Sequence, residues 1–277
     1  MKLLFWNIQK KKSCFKVIAD AVQDEDIDVV ALAEFSSDFG ATEELLALLK
    51  QVGEGYKRLI SPVPEKVIIF YNSNKVTVKN RYNEGKIAIK KISSFVSETN
   101  AYIVFCHFMS KVSVSNAEQS ERITNVKNII DSFEKENDDE HGILLLCGDL
   151  NMNPFEEGVI KANGLNAVME SSIAQKKCRK VGGDNYKYFY NPMWGFLGDL
   201  GKDRVSGTYF HNPSNHIQYF WNIFDQVLLR PEAIPYFDKE ALHIISETTN
   251  FKLLKPSGII DKNNYSDHLP IMFKLNI

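Results

Sequence analysis

Apolar residues recur along the chain in two rhythms. Leu3–Ile8 and Ile27–Ala33 are short, nearly unbroken apolar runs, the pattern of strands covered on both faces. Val67–Tyr71, Ala101–Cys106, Ile143–Cys147, Phe224–Leu229 and Ile271–Leu275 repeat it. Between these runs the spacing becomes helical. Phe15, Ile18 and Val22 predict a helix over Phe15–Val22, and a Leu-rich helix covers Thr42–Gln51 and stops near Gly53. Ser115 opens a third helix with Glu118 at capping-box spacing, and Ile123, Val126, Ile130 and Phe133 supply its apolar face. Pro154 is expected to open a short helix. Residues 182–223, rich in Gly and aromatics, read as long loops and short strands. The alternation as a whole predicts an α/β fold.

Polar residues gather just after the apolar runs, where α/β folds collect their chemistry. Asn7 follows the first run, Glu34 the second, His107 the run at 101–106, and Asp149 the run at 143–147. Each alone has a plain reading: a turn residue, a solvated carboxylate, a half-buried imidazole. Gly148 frees the backbone before Asp149, and alternation in an extended segment puts Asp149 and Asn151 on one side. There they can position a water and a phosphate oxygen, or they form an Asx-rich turn closed by Pro154. Asp225 lies within an apolar segment, where a charge is costly unless paired; an imidazole would suit it, and an edge-strand surface position is the alternative. Ser266-Asp267-His268 precedes the last run. It offers a metal ligand beside a phosphate-binding imidazole, or an ordinary polar loop.

Composition narrows the classes. The chain has 277 residues and a net charge of −2, so no global basic field draws it to nucleic acid or an anionic membrane. Lys10–Lys12 and Lys176–Lys180 are local basic runs, and Glu134–Glu140 is expected to be a solvated acidic loop. The aromatic segment Tyr186–Trp194 could stack bases or cover the core. Cys14, Cys106, Cys147 and Cys178 form no CxxC pair, which argues against zinc and fits a reducing compartment. No stretch of ~20 apolar residues suggests a membrane span. A cytoplasmic protein without stable membrane insertion is expected. No linker divides residues 1–277, so one domain is expected; the oligomeric state is left open.

Taken together, Trp6-Asn7, Glu34, His107, Gly148-Asp149-Leu150-Asn151, Phe224-Asp225-Gln226-Val227 and Ser266-Asp267-His268 resemble, in order and spacing, the endonuclease/exonuclease/phosphatase superfamily, whose members include deoxyribonuclease I and exonuclease III. The residue after Asp225 is Gln226 rather than the more common Tyr. The resemblance implies a four-layer α/β/β/α sandwich of two packed, mainly antiparallel or mixed sheets flanked by helices. It implies a metal-dependent phosphoesterase, acting on phosphodiesters or phosphomonoesters through an activated water. Mg²⁺ is the implied cofactor, with Mn²⁺ a substitute, held by Glu34 with Asn7 and Asp267. Asp149 becomes the base, Asn151 its partner, His268 a charged phosphate ligand held by Asp225, and His107 a second phosphate contact. Arg122 also matches a family position and is read as structural. The substrate is nucleic acid, a small phosphodiester or a phospholipid head group. The alternative is a non-catalytic binding or scaffold protein that keeps the fold.

Overall fold

The structure is a computed structural model describing residues 1–277 except Ser37, Phe39, Val112, Ser113, Asp138, Glu140, Arg204 and Asn215. Two large mixed sheets form its centre. The first runs, in spatial order, Phe237–Ile244, Ile271–Leu275, Lys2–Asn7, Val29–Ala33, Val67–Asn72 and Tyr56–Arg58. The second runs Val76–Glu84, Ile87–Ser94, Asn100–His107, Gly142–Asp149, Asp225–Leu229, Phe189–Tyr190 and Ala167–Val168. Helices Cys14–Glu25 and Ala41–Val52 pack with the first sheet, and helix Asn116–Glu136 packs on the second. This is the expected α/β/β/α layering.

Strand periodicity divides the second sheet's side chains between two cores. Ala101, Ile103, Phe105, Ile143, Leu145, Cys147, Val227 and Leu229 join the large cluster shared with the first sheet. Tyr102, Val104, Cys106, Leu144, Leu146 and Leu228 face helix Asn116–Glu136. His107, Asp149 and Asp225 continue the first set's parity, so each strand's inward face ends in a polar residue at one rim.

Apart from the helix expected at Pro154, each predicted strand and helix named above is present, with no end shifted by more than three residues. The capping box of Ser115 and Glu118 forms in full. Two expectations change. Pro154 lies in a turn and the short helix is Glu157–Ile160, because Glu156 accepts from the Asn153 N–H at 2.9 Å and holds that turn closed first. The acidic run is not a solvated loop at its start: Glu134 lies in the helix and binds the buried Arg230 at 2.8 Å. Its later members Asp138 and Glu140 lie outside the described residues. Of the two readings of the aromatic segment, core cover holds for Tyr188 and Tyr190, which are buried. Among the described residues, no helix is long and apolar enough to cross a membrane.

Candidate active site

Two parallel pairings set the rim. Strand Lys2–Asn7 lies beside Val29–Ala33 with Asn7 opposite Ala33, so Asn7 and Glu34 emerge together. Strand Asn100–His107 lies beside Gly142–Asp149 with His107 opposite Asp149. Asp225 begins an antiparallel strand opposite Asp149. Gly148 serves a purpose other than turning: a Cβ there would stand 2.0 Å from the Cys106 carbonyl oxygen. The glycine lets strand Gly142–Asp149 approach its neighbour closely. Glu34 and Asn151 take left-handed backbone angles, φ 47° and 51°, uncommon for such residues and concentrated at functional turns. The left-handed Asn151 overturns the expectation of an extended segment, although Asp149 and Asn151 still line one cleft.

That cleft encloses about 860 Å³. Asn7, Glu34, His107, Asp149, Asn151, Asp267 and His268 all line it, and Asp225 lies behind His268. The Asn7 amide donates to Glu34 Oε1 at 3.2 Å and to Asp149 Oδ2 at 3.1 Å. His107 Nε2 stands 3.6 Å from Glu34 and 3.7 Å from Asp149. Asp149 Oδ1 accepts the Asn151 backbone N–H at 2.8 Å, and the Asn151 amide donates to the Phe108 carbonyl at 3.0 Å. Asp267 Oδ2 accepts from Gln9 Nε2 at 3.2 Å.

His268 is buried, with Nδ1 2.7 Å from Asp225 Oδ2 and Nε2 3.9 Å from Asp149 Oδ2. Burial alone would lower its pKa, but the charges of Asp225 and Asp149 carry it to about 10. The imidazole therefore holds a proton at neutral pH. Further side chains support this arrangement. Thr208 Oγ1 accepts the backbone N–H groups of Phe224 and Asp225, each at 3.1 Å. The Ser266 hydroxyl donates to the Asn7 carbonyl, and the Trp6 indole donates to the His268 carbonyl at 2.8 Å. The Tyr209 ring lies 4.8 Å from the His268 ring and 5.1 Å from Phe224. Trp6 and Ser266 belong to motifs read in the sequence; Thr208 and Tyr209, in the segment read as irregular, carried no sequence signal. Of the basic run, Lys11 binds the carbonyls of Lys262 and Tyr265, Lys12 pairs with Glu44, and only Lys10 borders a cleft next to Glu34.

Glu34 and Asp149 converge on one amide, with the imidazoles of His107 and His268 beside them. An oxygen-rich, anionic edge of this kind suits a hard divalent cation. The buried trio Asp149, Asp225 and His268 also brings ligand atoms within 4.8 Å of one another. A protonated imidazole has no lone pair to offer, so the Glu34 edge fits an ion better.

No curated protein sequence matches the chain. Among solved structures it is similar to D. rerio TDP2 complexed with single strand DNA product, at 16% identity and a TM-score of 0.57, covering 100% of this chain and 99% of that one. The human Nocturnin catalytic domain with bound sulfate anion matches at 15% identity and 0.57, covering 99% and 93%. An AP endonuclease from Archaeoglobus fulgidus matches at 11% and 0.57, covering 100% of both. At these identities the likeness establishes the fold. A profile of the Endonuclease/Exonuclease/phosphatase family spans residues 4–268, from the first strand through His268, and the chain belongs to that family.

Proposed function

We propose that the chain is a Mg²⁺-dependent phosphoesterase, with Mn²⁺ as a substitute ion, that hydrolyses a phosphodiester or phosphomonoester by attack of an activated water. Residues 1–277 act as one catalytic domain. The observation that carries this reading is the joining of two half-sites: the Asn7 amide reaches both Glu34 and Asp149, and the Asp225–His268 pair stands directly behind Asp149.

Glu34, with Asp267 and Asn7, would hold the ion. When bound, it neutralises phosphate oxygens that would otherwise repel a nucleophile. Asp149 orients the attacking water and takes its proton; its second oxygen, tied to the Asn151 N–H, fixes the carboxylate plane. Asn151 holds that turn in place and lines the cleft beside it. His268 presents a positive Nε2 to the phosphoryl oxygens, and Asp225 keeps the ring oriented and charged. His107 contacts another phosphate oxygen or assists the leaving group. A protein that keeps the fold only for binding would lose members of this set, whereas each position here carries a competent side chain.

Asp149→Ala and His268→Ala should each lower turnover of bis(4-nitrophenyl) phosphate in Mg²⁺ by ~100-fold or more. Near-normal turnover in both variants rejects the scheme. A panel of DNA, RNA, inositol phosphates and sphingomyelin assayed alongside identifies the class of ester.

A further inference from the structure

The paired Asp225 and His268 are held by different sheets. Asp225 opens strand Asp225–Leu229 of the second sheet, and His268 lies shortly before strand Ile271–Leu275 of the first. Their side-chain bond of 2.7 Å therefore spans the seam between the two. Asp225 gives that bond one carboxylate oxygen, and the other, Oδ1, is buried without a partner. The terminal torsion of an aspartate is broad, so a carboxylate held at one oxygen keeps its aim only if the backbone beneath it is pinned.

Gly207, Thr208 and Tyr209 form a strap over that seam. Gly207 admits a close approach: a Cβ there would stand 2.5 Å from the Asn222 carbonyl oxygen. The Thr208 N–H donates to the same carbonyl at 2.9 Å, and the Thr208 carbonyl accepts from the Leu269 N–H at 2.7 Å. Tyr209 forms an isolated antiparallel bridge with His268. The strap is thus bonded on one side to the residues leading into Asp225 and on the other to those around His268. Thr208 is 0% exposed. Its hydroxyl oxygen takes the N–H groups of Phe224 and Asp225 where the strand begins, opposite Asp149. A buried N–H without an acceptor is costly, so this oxygen decides where the Asp225 backbone lies.

We infer that Thr208 is a positioning residue for the proposed reaction. Its hydroxyl fixes the Asp225 backbone so that the carboxylate meets His268 Nδ1, and its carbonyl ties the His268 segment to the same point. Fully buried, it reaches no substrate and acts through Asp225 alone. The inference rests on the phosphoesterase reading for its effect on turnover; the placing of the pair stands apart from that reading.

Thr208→Val keeps the shape and removes the acceptor, whereas Thr208→Ser keeps the acceptor and removes a methyl group. With bis(4-nitrophenyl) phosphate and Mg²⁺, well below each variant's melting temperature, Thr208→Val should lower kcat on the order of tenfold to a hundredfold, as misplacement of a catalytic group does. KM should change little, and Thr208→Ser should regain most of the loss. In the Asp225→Asn background the pair is already broken, so Thr208→Val should add little further loss, the mark of residues acting as a unit. Proton NMR reads the pair without turnover. The Asp225–His268 proton, in a charge-assisted bond sheltered from water, should resonate far downfield in the unsubstituted protein and in Thr208→Ser. It should be absent from Asp225→Asn and displaced or lost in Thr208→Val. A Thr208→Val protein that melts lower yet keeps its kcat and its resonance overturns the inference. So do an equal loss in Thr208→Ser, full additivity with Asp225→Asn, or absence of the resonance from the unsubstituted protein. Should Thr208→Val fail to fold, Thr208→Ala, which leaves room for a water, is read against the same outcomes. If the unsubstituted protein hydrolyses no ester, the phosphoesterase reading falls, and the resonance alone decides whether Thr208 places the pair.

Discussion

At the residue scale, the Asn7 amide carries most of the geometry. One amide nitrogen accepts no hydrogen bond and donates two, so it can stand between two carboxylates that would otherwise repel. The placing of one of those carboxylates, Asp149, depends on Gly148, which brings the strand bearing it against Asn100–His107. Gly148→Ala places a methyl group against the Cys106 carbonyl, and the strands must part. The expected cost is ~2 kcal/mol or more, read as a lower urea midpoint at unchanged m-value. Asn7, Glu34, Asp149, Asp225 and His268 were legible in the sequence because each interrupts or ends an apolar run with a group of strong chemistry. Thr208 and Tyr209 were not. They act through a hydroxyl accepting backbone N–H groups and through ring contact with His268, and neither function leaves a charge or a period to read.

At the element scale, legibility followed burial. Central strands such as Val29–Ala33, apolar throughout, announced themselves. The hairpin Val76–Glu84 and Ile87–Ser94 did not, because its edge is polar and Lys90 interrupts its inner face. Lys90 is fully buried and paired with Glu65 and Asn80; desolvation lowers its pKa against that pairing. The edge strand Phe237–Ile244 was hidden for the same reason, its middle being charged and exposed. A polar joint near the opposite end of the second sheet gives a pH test. The Tyr102 hydroxyl donates to Asp139 at 2.7 Å, Lys91 donates at 2.9 Å, and the His141 N–H adds a third bond. With Tyr102 the largest cause, these hold the Asp139 carboxyl down to about 2. Its folded pKa lies below the unfolded value, so its stabilisation is complete above pH ~4 and disappears as pH falls toward 2. Asp139→Asn should therefore lower stability at neutral pH by about 1 kcal/mol, and the gap to the unsubstituted protein should close on acidification. A constant gap in urea melts from pH 7 to 2.5 would contradict this.

At the scale of the whole molecule, the two sheets share one large apolar cluster and expose their anionic residues at one rim. A cation binding there favours the folded chain alone and stabilises it by mass action, ~2.7 kcal/mol at a hundredfold excess over Kd. Thermal melts with rising Mg²⁺ should show an increasing midpoint, and Glu34→Ala should abolish the shift. An equal shift in that variant places the ion elsewhere.

The hydrogen bonds from Ser266 to Asn7 and from Trp6 to His268 fasten the opening strand to the segment before the last one. Ribosomes make the chain from its N-terminus, so Asn7, Glu34 and Asp149 exist long before their partner imidazole does. On the proposed chemistry a nascent copy that has not yet reached His268 is inert, so ester hydrolysis waits for the segment that carries residues 266–268 to be made and docked.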